Sequence, residues 1–223
     1  MNLFLWGALP YIAFTFLIVG TLVRFIYFER NWTTKSSEFL EKKQLRIANP
    51  LFHFGLLCVI GGHVVGVLIP KTWSAAIGIN DHMYHQGALY MGAVAGIIFI
   101  VGFLLLMKRR FTVPAMKVNT SGLDKWLYLF LTLAIFSGMA GTLLNASGFF
   151  DYRVSIGPWF RSLISFMPDP SLMEGVPFMF KFHMLAWMVV AIIFTFSRLV
   201  HCLSVPLNYL ARPFIVYRKR DRV

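Results

Sequence analysis

Four histidines are the residues in this chain best placed to do chemistry. Two of them, His53 and His63, lie in Leu51–Pro70, LFHFGLLCVIGGHVVGVLIP, a run of membrane length with no other ionisable side chain than Cys58. The other two, His183 and His201, lie in a second apolar run, Phe180–Leu203. An ionisable group inside a bilayer costs free energy and marks a functional site by default. Neutral imidazole nitrogen is a common metal ligand. Two helices with two histidines each, one towards either end, match what is needed to hold two stacked haems by axial ligation. A haem with two protein ligands has no open position, so its chemistry is electron transfer.

The elements that must position these residues follow from composition. The 223 residues are 58% hydrophobic and 13% charged, and several runs reach the roughly 20 apolar residues that cross a hydrocarbon core about 30 Å thick. The expected class is an all-α polytopic membrane protein forming one integral membrane domain. Five spans are expected, at about 3–28, 51–69, 84–107, 123–144 and 180–205, with the histidines in a dihaem four-helix-type bundle. The first run lacks a cationic stretch before it and a small-residue cleavage pattern, so it reads as a retained helix. Cys58 and Cys202 fall inside spans, which argues against a disulfide framework.

The net charge of +12 could suggest a nucleic-acid partner, but the cations sit in short loops between apolar runs, so none is expected. Of the 21 Lys and Arg, seventeen fall on one side of a five-span chain, and only Lys71, Arg153, Arg161 and Lys181 on the other. The positive-inside rule then places the N-terminus outside and the C-terminus in the cytoplasm. Arg24 lies near the end of the first span, where a long side chain can snorkel to the interface. The aromatic and proline-rich stretch 145–179 reads as an interfacial cap.

With this topology the histidines pair by depth. His53 and His201 lie towards the inside, His63 and His183 towards the outside. Ten residues separate the first two and eighteen the second two, so at 1.5 Å per residue the rises differ by about 12 Å. Tilt or unequal entry heights must absorb that. Gly55, beside His53, and Gly61 and Gly62, beside His63, could leave room for a macrocycle or simply let helices approach closely. Gly92 and Gly96 read as packing residues. His82 and His85 are weaker competitors at a loop boundary. Helix–helix hydrogen bonding is the plain alternative for any one membrane histidine. A proton relay or transporter would want carboxylates near the histidines, and the second, third and fifth spans contain none. Arg110 and Arg198, at the inner boundary, are candidates for haem propionates, which arginine can bind bidentately; positive-inside topology explains them equally.

The wording of 51–70, of DYRVSIGPWFR at 151–161, FKFHM at 180–184, FSRLVHCLSVPLNYL at 196–210 and VYRKR at 216–220 resembles the gamma, or cytochrome b, subunit of membrane-bound respiratory nitrate reductase. The resemblance is closer to Firmicute-type members than to enterobacterial ones, covers nearly the whole chain and includes the spacings of 10 and 18. It implies an inner haem b on His53 and His201 and an outer haem b on His63 and His183. It implies oxidation of quinol, expected to be menaquinol, beside the outer haem, with protons released outside. Electrons would pass to an iron–sulfur (beta) subunit and a molybdenum (alpha) subunit on the cytoplasmic face of a bacterial cell membrane. The basic inner surface, including 108–110 and the tail, would be the docking face. Nothing in this chain could bind molybdenum or nitrate by itself.

One departure stands out. Family members usually carry a lysine where the third span begins, and here 82–88 reads HMYHQGA, with Gln86 nearest that place. The quinol-site candidates are His63, Tyr84, His85 and Gln86. Rival readings are a related cytochrome of a sulfur-cycle or heterodisulfide-type complex, and a haem-free membrane anchor or transporter.

Overall fold

The computed structural model describes residues 1–28 and 40–203, and all regular structure among them is helical. Helix α1 is Phe4–Tyr27, α2 is Leu45–Leu68, α3 is Lys71–Ala76 and α4 is Asp81–Thr112. Then come α5 (Pro114–Val118), α6 (Gly122–Leu144), α7 (Ile156–Ile164) and α8 (Phe178–Phe194). Helices α1, α2, α4 and α6 are long and apolar enough to cross a membrane. The expected fifth span is shorter. Helix α8 has 17 residues, about 26 Å at 1.5 Å per residue, and it stops at Phe194. A turn and a 3₁₀ segment, Arg198–Leu203, follow it, so His201 is not on a continuous helix with His183. Residues 204 and 205 lie outside the described residues, as do Arg30, Lys35 and the basic tail from Arg212 to Arg222.

Two antiparallel hairpins make the bundle. Helix α2 packs on α4, and α6 packs on α8, while the hairpins meet through α4 and α6. The first contact is backbone to backbone. A Cβ at Gly55 would stand 2.5 Å from the Phe99 nitrogen, and one at Gly102 would fall on the Phe52 backbone. Gly55 is therefore a packing glycine. Gly61 and Gly62 differ, with nothing within 4 Å of a built Cβ. Helices α2 and α8 approach one another far less closely than the partners within each hairpin.

Among the described residues, named cations cluster at two ends of the bundle. Arg24, Arg109, Arg110 and Arg198 gather at one end of the bundle, called here the inner end. Lys71, Arg153, Arg161 and Lys181 gather at the other. Helix α4, at 32 residues, is about 48 Å long and overshoots a hydrocarbon core of about 30 Å. Lys108, Arg109 and Arg110 thus ride on the helix, the two arginines on its last turn, rather than in a loop. Stretch 145–179 is a packed cap at the outer end. The indole nitrogen of Trp159 donates to the Trp6 carbonyl at 2.8 Å, and the Tyr11 hydroxyl donates to Leu163 at 3.0 Å.

Three wide π-helical turns interrupt α1 and end α2, and each has an identifiable cause. Pro10, which has no N–H to give, follows the first. The Thr195 hydroxyl, just past the end of α8, donates to the Phe16 carbonyl at the second, at 2.5 Å. The Arg161 guanidinium of α7 takes the Val67 carbonyl at the third, Val64–Leu68, at 2.8 Å. That third turn begins next to His63.

Candidate cofactor site

The four histidines come together as two pairs. The ring centres of His63 and His183 are 6.0 Å apart, and those of His53 and His201 are 6.3 Å apart. An imidazole nitrogen bonds a metal at about 2.0–2.1 Å, so two rings on opposite sides of one metal atom have centres about 6 Å apart. The 12 Å mismatch in rise is absorbed where α8 ends at Phe194 and the chain turns before reaching His201.

Each ring is held by the same device. Nδ1 of His53 donates to the Asn49 carbonyl at 2.9 Å, and that of His63 to Val59 at 2.7 Å. Nδ1 of His183 donates to the Ala134 carbonyl of α6 at 2.8 Å, and that of His201 to Arg198 at 2.8 Å. A carbonyl only accepts, so in each ring the proton is on Nδ1 and the Nε2 lone pair is left for a ligand bond. Holding the other ring nitrogen this way fixes tautomer and orientation, as metal-binding histidines require. Among the described residues no group of three or more His, Cys, Asp or Glu could hold a metal ion. Each place therefore offers two imidazole donors, which would suit a metal whose remaining ligands come from a bound cofactor.

The remaining candidates divide. Arg198 is committed to protein: its Nε and Nη2 donate to the two Asp124 oxygens at 2.7 Å each, and Nη2 also reaches the Asn119 carbonyl. Arg110 has a buried Nη1 with no protein partner, and its guanidinium lies 5.7 Å from the Tyr128 ring centre. Of the two, Arg110 has a donor to spare for a carboxylate. Arg24 donates to the carbonyls of Thr195 and Ser197, the latter at 3.0 Å, where α8 ends.

At the outer end Tyr84 and His85 are engaged by the cap. Nε2 of His85 meets the Ala146 carbonyl at 3.1 Å, and Arg153 stacks 3.8 Å over the Tyr84 ring. Arg153 also joins Asp81 and Asp151, both of which bond Lys71. The Arg153 and Lys71 hydrogen bonds outweigh burial and hold the Asp151 carboxyl below its ordinary range. Asp81, followed by Asp151, pushes Lys71 upward. Gln86 is half-buried one residue on from His85.

Sequence reasoning missed Gly138. A Cβ there would stand 2.7 Å from Cε1 of His183, so Ala134, Ser137 and Gly138 form a seat for that ring on α6. The Ser137–Gly138 pair in FSGMAG is the signal that could have shown it.

The sequence pattern of the nitrate reductase gamma subunit family matches residues 2–220. The chain belongs to the nitrate reductase gamma subunit family. It is 48% identical over 218 residues to the nitrate reductase gamma chain of Bacillus subtilis, covering 97% of this chain and 98% of that one. It is 30% identical over 222 residues to the respiratory nitrate reductase 1 gamma chain of Escherichia coli, covering 99% and 98%. A third relative, the nitrate reductase-like protein NarX of Mycobacterium tuberculosis, is 38% identical over 221 residues, which are 98% of this chain but 34% of that longer one. The gamma-subunit family is a family of transmembrane oxidoreductase subunits, and apolar helices of spanning length agree with it.

Proposed function

We propose that this gamma subunit is the dihaem cytochrome b of a quinol:nitrate oxidoreductase in the bacterial cytoplasmic membrane. It crosses five times, with the N-terminus outside and the C-terminus in the cytoplasm. It oxidises quinol, menaquinol by expectation, near the outer face. The receiving partners are a cytoplasmic iron–sulfur subunit and, beyond it, a molybdenum subunit that reduces nitrate. The observation that carries this reading is the two imidazole pairs, 6.0 and 6.3 Å between centres, each ring turned with Nε2 free.

Iron held between two imidazoles supplies one-electron transfer and no open site for oxygen. His63 and His183 would hold the outer haem b, and His53 and His201 the inner one. The open face at Gly61 and Gly62 leaves α2 unobstructed beside His63. Arg110, with its spare donor, is the better propionate contact than Arg198, whose guanidinium already has a carboxylate. Quinol oxidation yields quinone, two protons and two electrons. The protons leave at the outer end, while His63 lies at the entrance of the electron path. Tyr84, His85 and Gln86, on the first turns of α4, would wall the quinol site, with no lysine among them. Moving one charge inward across 100 mV corresponds to about 2.3 kcal/mol, which is how such a subunit conserves free energy.

The test is a reduced-minus-oxidised spectrum of the membrane complex, followed by quinol and then nitrate. A b-type spectrum that quinol reduces and nitrate reoxidises is expected. With no b-type signal the haem reading fails, and haems that nitrate cannot reoxidise would point to a different terminal acceptor.

A further inference from the structure

The inner pair has an unusual weakness. His201 sits beyond the end of α8, in a six-residue 3₁₀ segment, and among the described residues its ring nitrogen bonds that segment's own Arg198 carbonyl. A ring on such a short, irregular piece is only as well placed as the segment itself. The segment is gripped from two sides by residues far away in sequence.

One grip comes from α6. Asp124 is buried at 4% exposure and does two things at once. It closes the capping box of α6, accepting from the Ser121 nitrogen at 2.9 Å while its own nitrogen donates to the Ser121 hydroxyl. It also holds both arms of Arg198 at 2.7 Å. A paired fork of this kind fixes direction as well as distance. The other grip comes from α1. Arg24 donates to the Thr195 and Ser197 carbonyls, which the end of α8 leaves without helical partners. The Thr195 hydroxyl reaches back to Thr21 and Phe16, and Gly20 makes room for its methyl group. Arg198 supplies the carbonyl that orients His201, so both grips converge on one ring.

Building on the dihaem reading, we infer that Asp124 and Arg24 are positioning residues for the inner axial histidine, acting through Arg198 and through the 195–197 turn. Their bonds run to Arg198 and to the 195–197 turn rather than to the His201 ring. Each sets where His201 presents Nε2. Charge balance at the inner end is not what matters here: the Glu41–Arg109 pair, at 2.7 Å, is formed by neither Arg198 nor the 195–197 turn.

The experiment uses the intact membrane complex. Midpoint titration and low-spin electron paramagnetic resonance of both haems are recorded for the parent chain, Asp124→Asn, Arg24→Lys and Glu41→Gln. Asp124→Asn keeps the shape of the cap and removes the charge that holds Arg198. The expected result is a shifted potential and altered anisotropy for the inner haem, or its partial loss, with the outer haem as in the parent. Arg24→Lys, which keeps the charge but reaches fewer carbonyls, should shift the same haem by less. An inner haem unchanged in both variants overturns the inference. So does an equal change in both haems, or an inner-haem shift as large in Glu41→Gln. Should Asp124→Asn fail to assemble, Arg24→Lys decides alone by the same criteria. Absence of b-type haem from the parent complex would instead defeat the reading beneath, and is seen before any variant is made.

Discussion

At the outer end His63 and His183 face each other with ring planes 29° apart, whereas at the inner end His53 and His201 meet at 79°. The spacing is nearly the same, but the support is not. The outer pair stands on helix, His63 at the last residue before the π-helical turn of α2 and His183 within α8, and its second ring is braced from a neighbouring helix by the Ala134 carbonyl and shaped against Gly138. The inner pair takes both of its anchors from the ligand's own segment, and one ring hangs on a 3₁₀ piece. A site built by helix packing is fixed when the bundle forms. A site built on a helix end depends on side chains that reach across from other elements. On the proposed function the outer end is where quinol would come and go, and it carries the more rigid construction.

The largest effects come from the ligands, and they separate the two ends. His63→Leu should remove the outer haem and quinol oxidation while inner haem is retained. The loss should exceed the roughly 10–100-fold that removal of a supporting partner costs. His201→Leu should remove the inner haem while quinol can still reduce the outer one. Haem-resolved difference spectra after quinol addition check both. A His63→Leu protein lacking only inner haem would reverse the depth assignment.

Next is Asp124→Ala, which tests how much the inner end relies on long-range grips. It strands the Arg198 charge in a mostly buried site and opens the α6 cap. Loss of one partner of such a pair costs about 3–5 kcal/mol. Thermal unfolding in detergent should show it, and the cooperative loss should begin with inner-haem release. An unfolding midpoint equal to that of the parent would mean that the inner end is held by packing alone.

This contrast also explains what could be read in the sequence. The helical, apolar class and the approach of the four histidines in two pairs depend on composition, hydropathy and spacing along one chain, and both were legible. The inner-end grips were not. Arg24 and Ser197 are 173 residues apart, and Asp124 and Arg198 are 74 apart, so nothing local announces them. Arg24 looked like any cation at a span end. The early stop of α8 was hidden because Thr195, Phe196 and Ser197 do not break a hydropathy pattern. Gly55 and Gly61 looked alike, yet Gly55 is pressed on Phe99 and Gly61 faces open space. Only the partner helix distinguishes them.

That last difference gives a smaller, sharper test at the outer end. Gly138→Ala would force a Cβ to 2.7 Å from the His183 ring, and overpacking of this kind costs about 1–3 kcal/mol. Its signature should be altered outer-haem spectra. Gly61→Ala meets no atom in the protein, and replacing a mid-helix glycine should by itself be neutral or favourable by about 0.5–1 kcal/mol. If Gly61→Ala nonetheless lowers outer-haem content while the chain stays folded, the open face beside His63 is where the macrocycle lies.

The smallest expected effect concerns pH and the outer cap. Burial disfavours the Asp151 carboxylate, but hydrogen bonds from Arg153 and Lys71 more than compensate, so its pKa is lowered in the fold. A lowered carboxyl contributes stability that is present above the ordinary aspartate value of about 3.9 and is lost as pH falls through the folded value. Lys71 is shifted the other way, raised by Asp81 and then by Asp151. Its contribution is complete below the ordinary lysine value of about 10.4 and disappears as pH climbs through the raised one. The outer cap should therefore be firmest between those limits and loosen first in acid. Asp151→Asn should flatten the acid limb of the stability profile near pH 4 and below, leaving the inner haem's spectrum untouched throughout. Unfolding midpoints followed against pH, with each haem monitored separately, measure this. An acid limb that survives in Asp151→Asn, or one that appears first at the inner haem, would place the weak point of the molecule at the end built on long-range grips rather than at the cap.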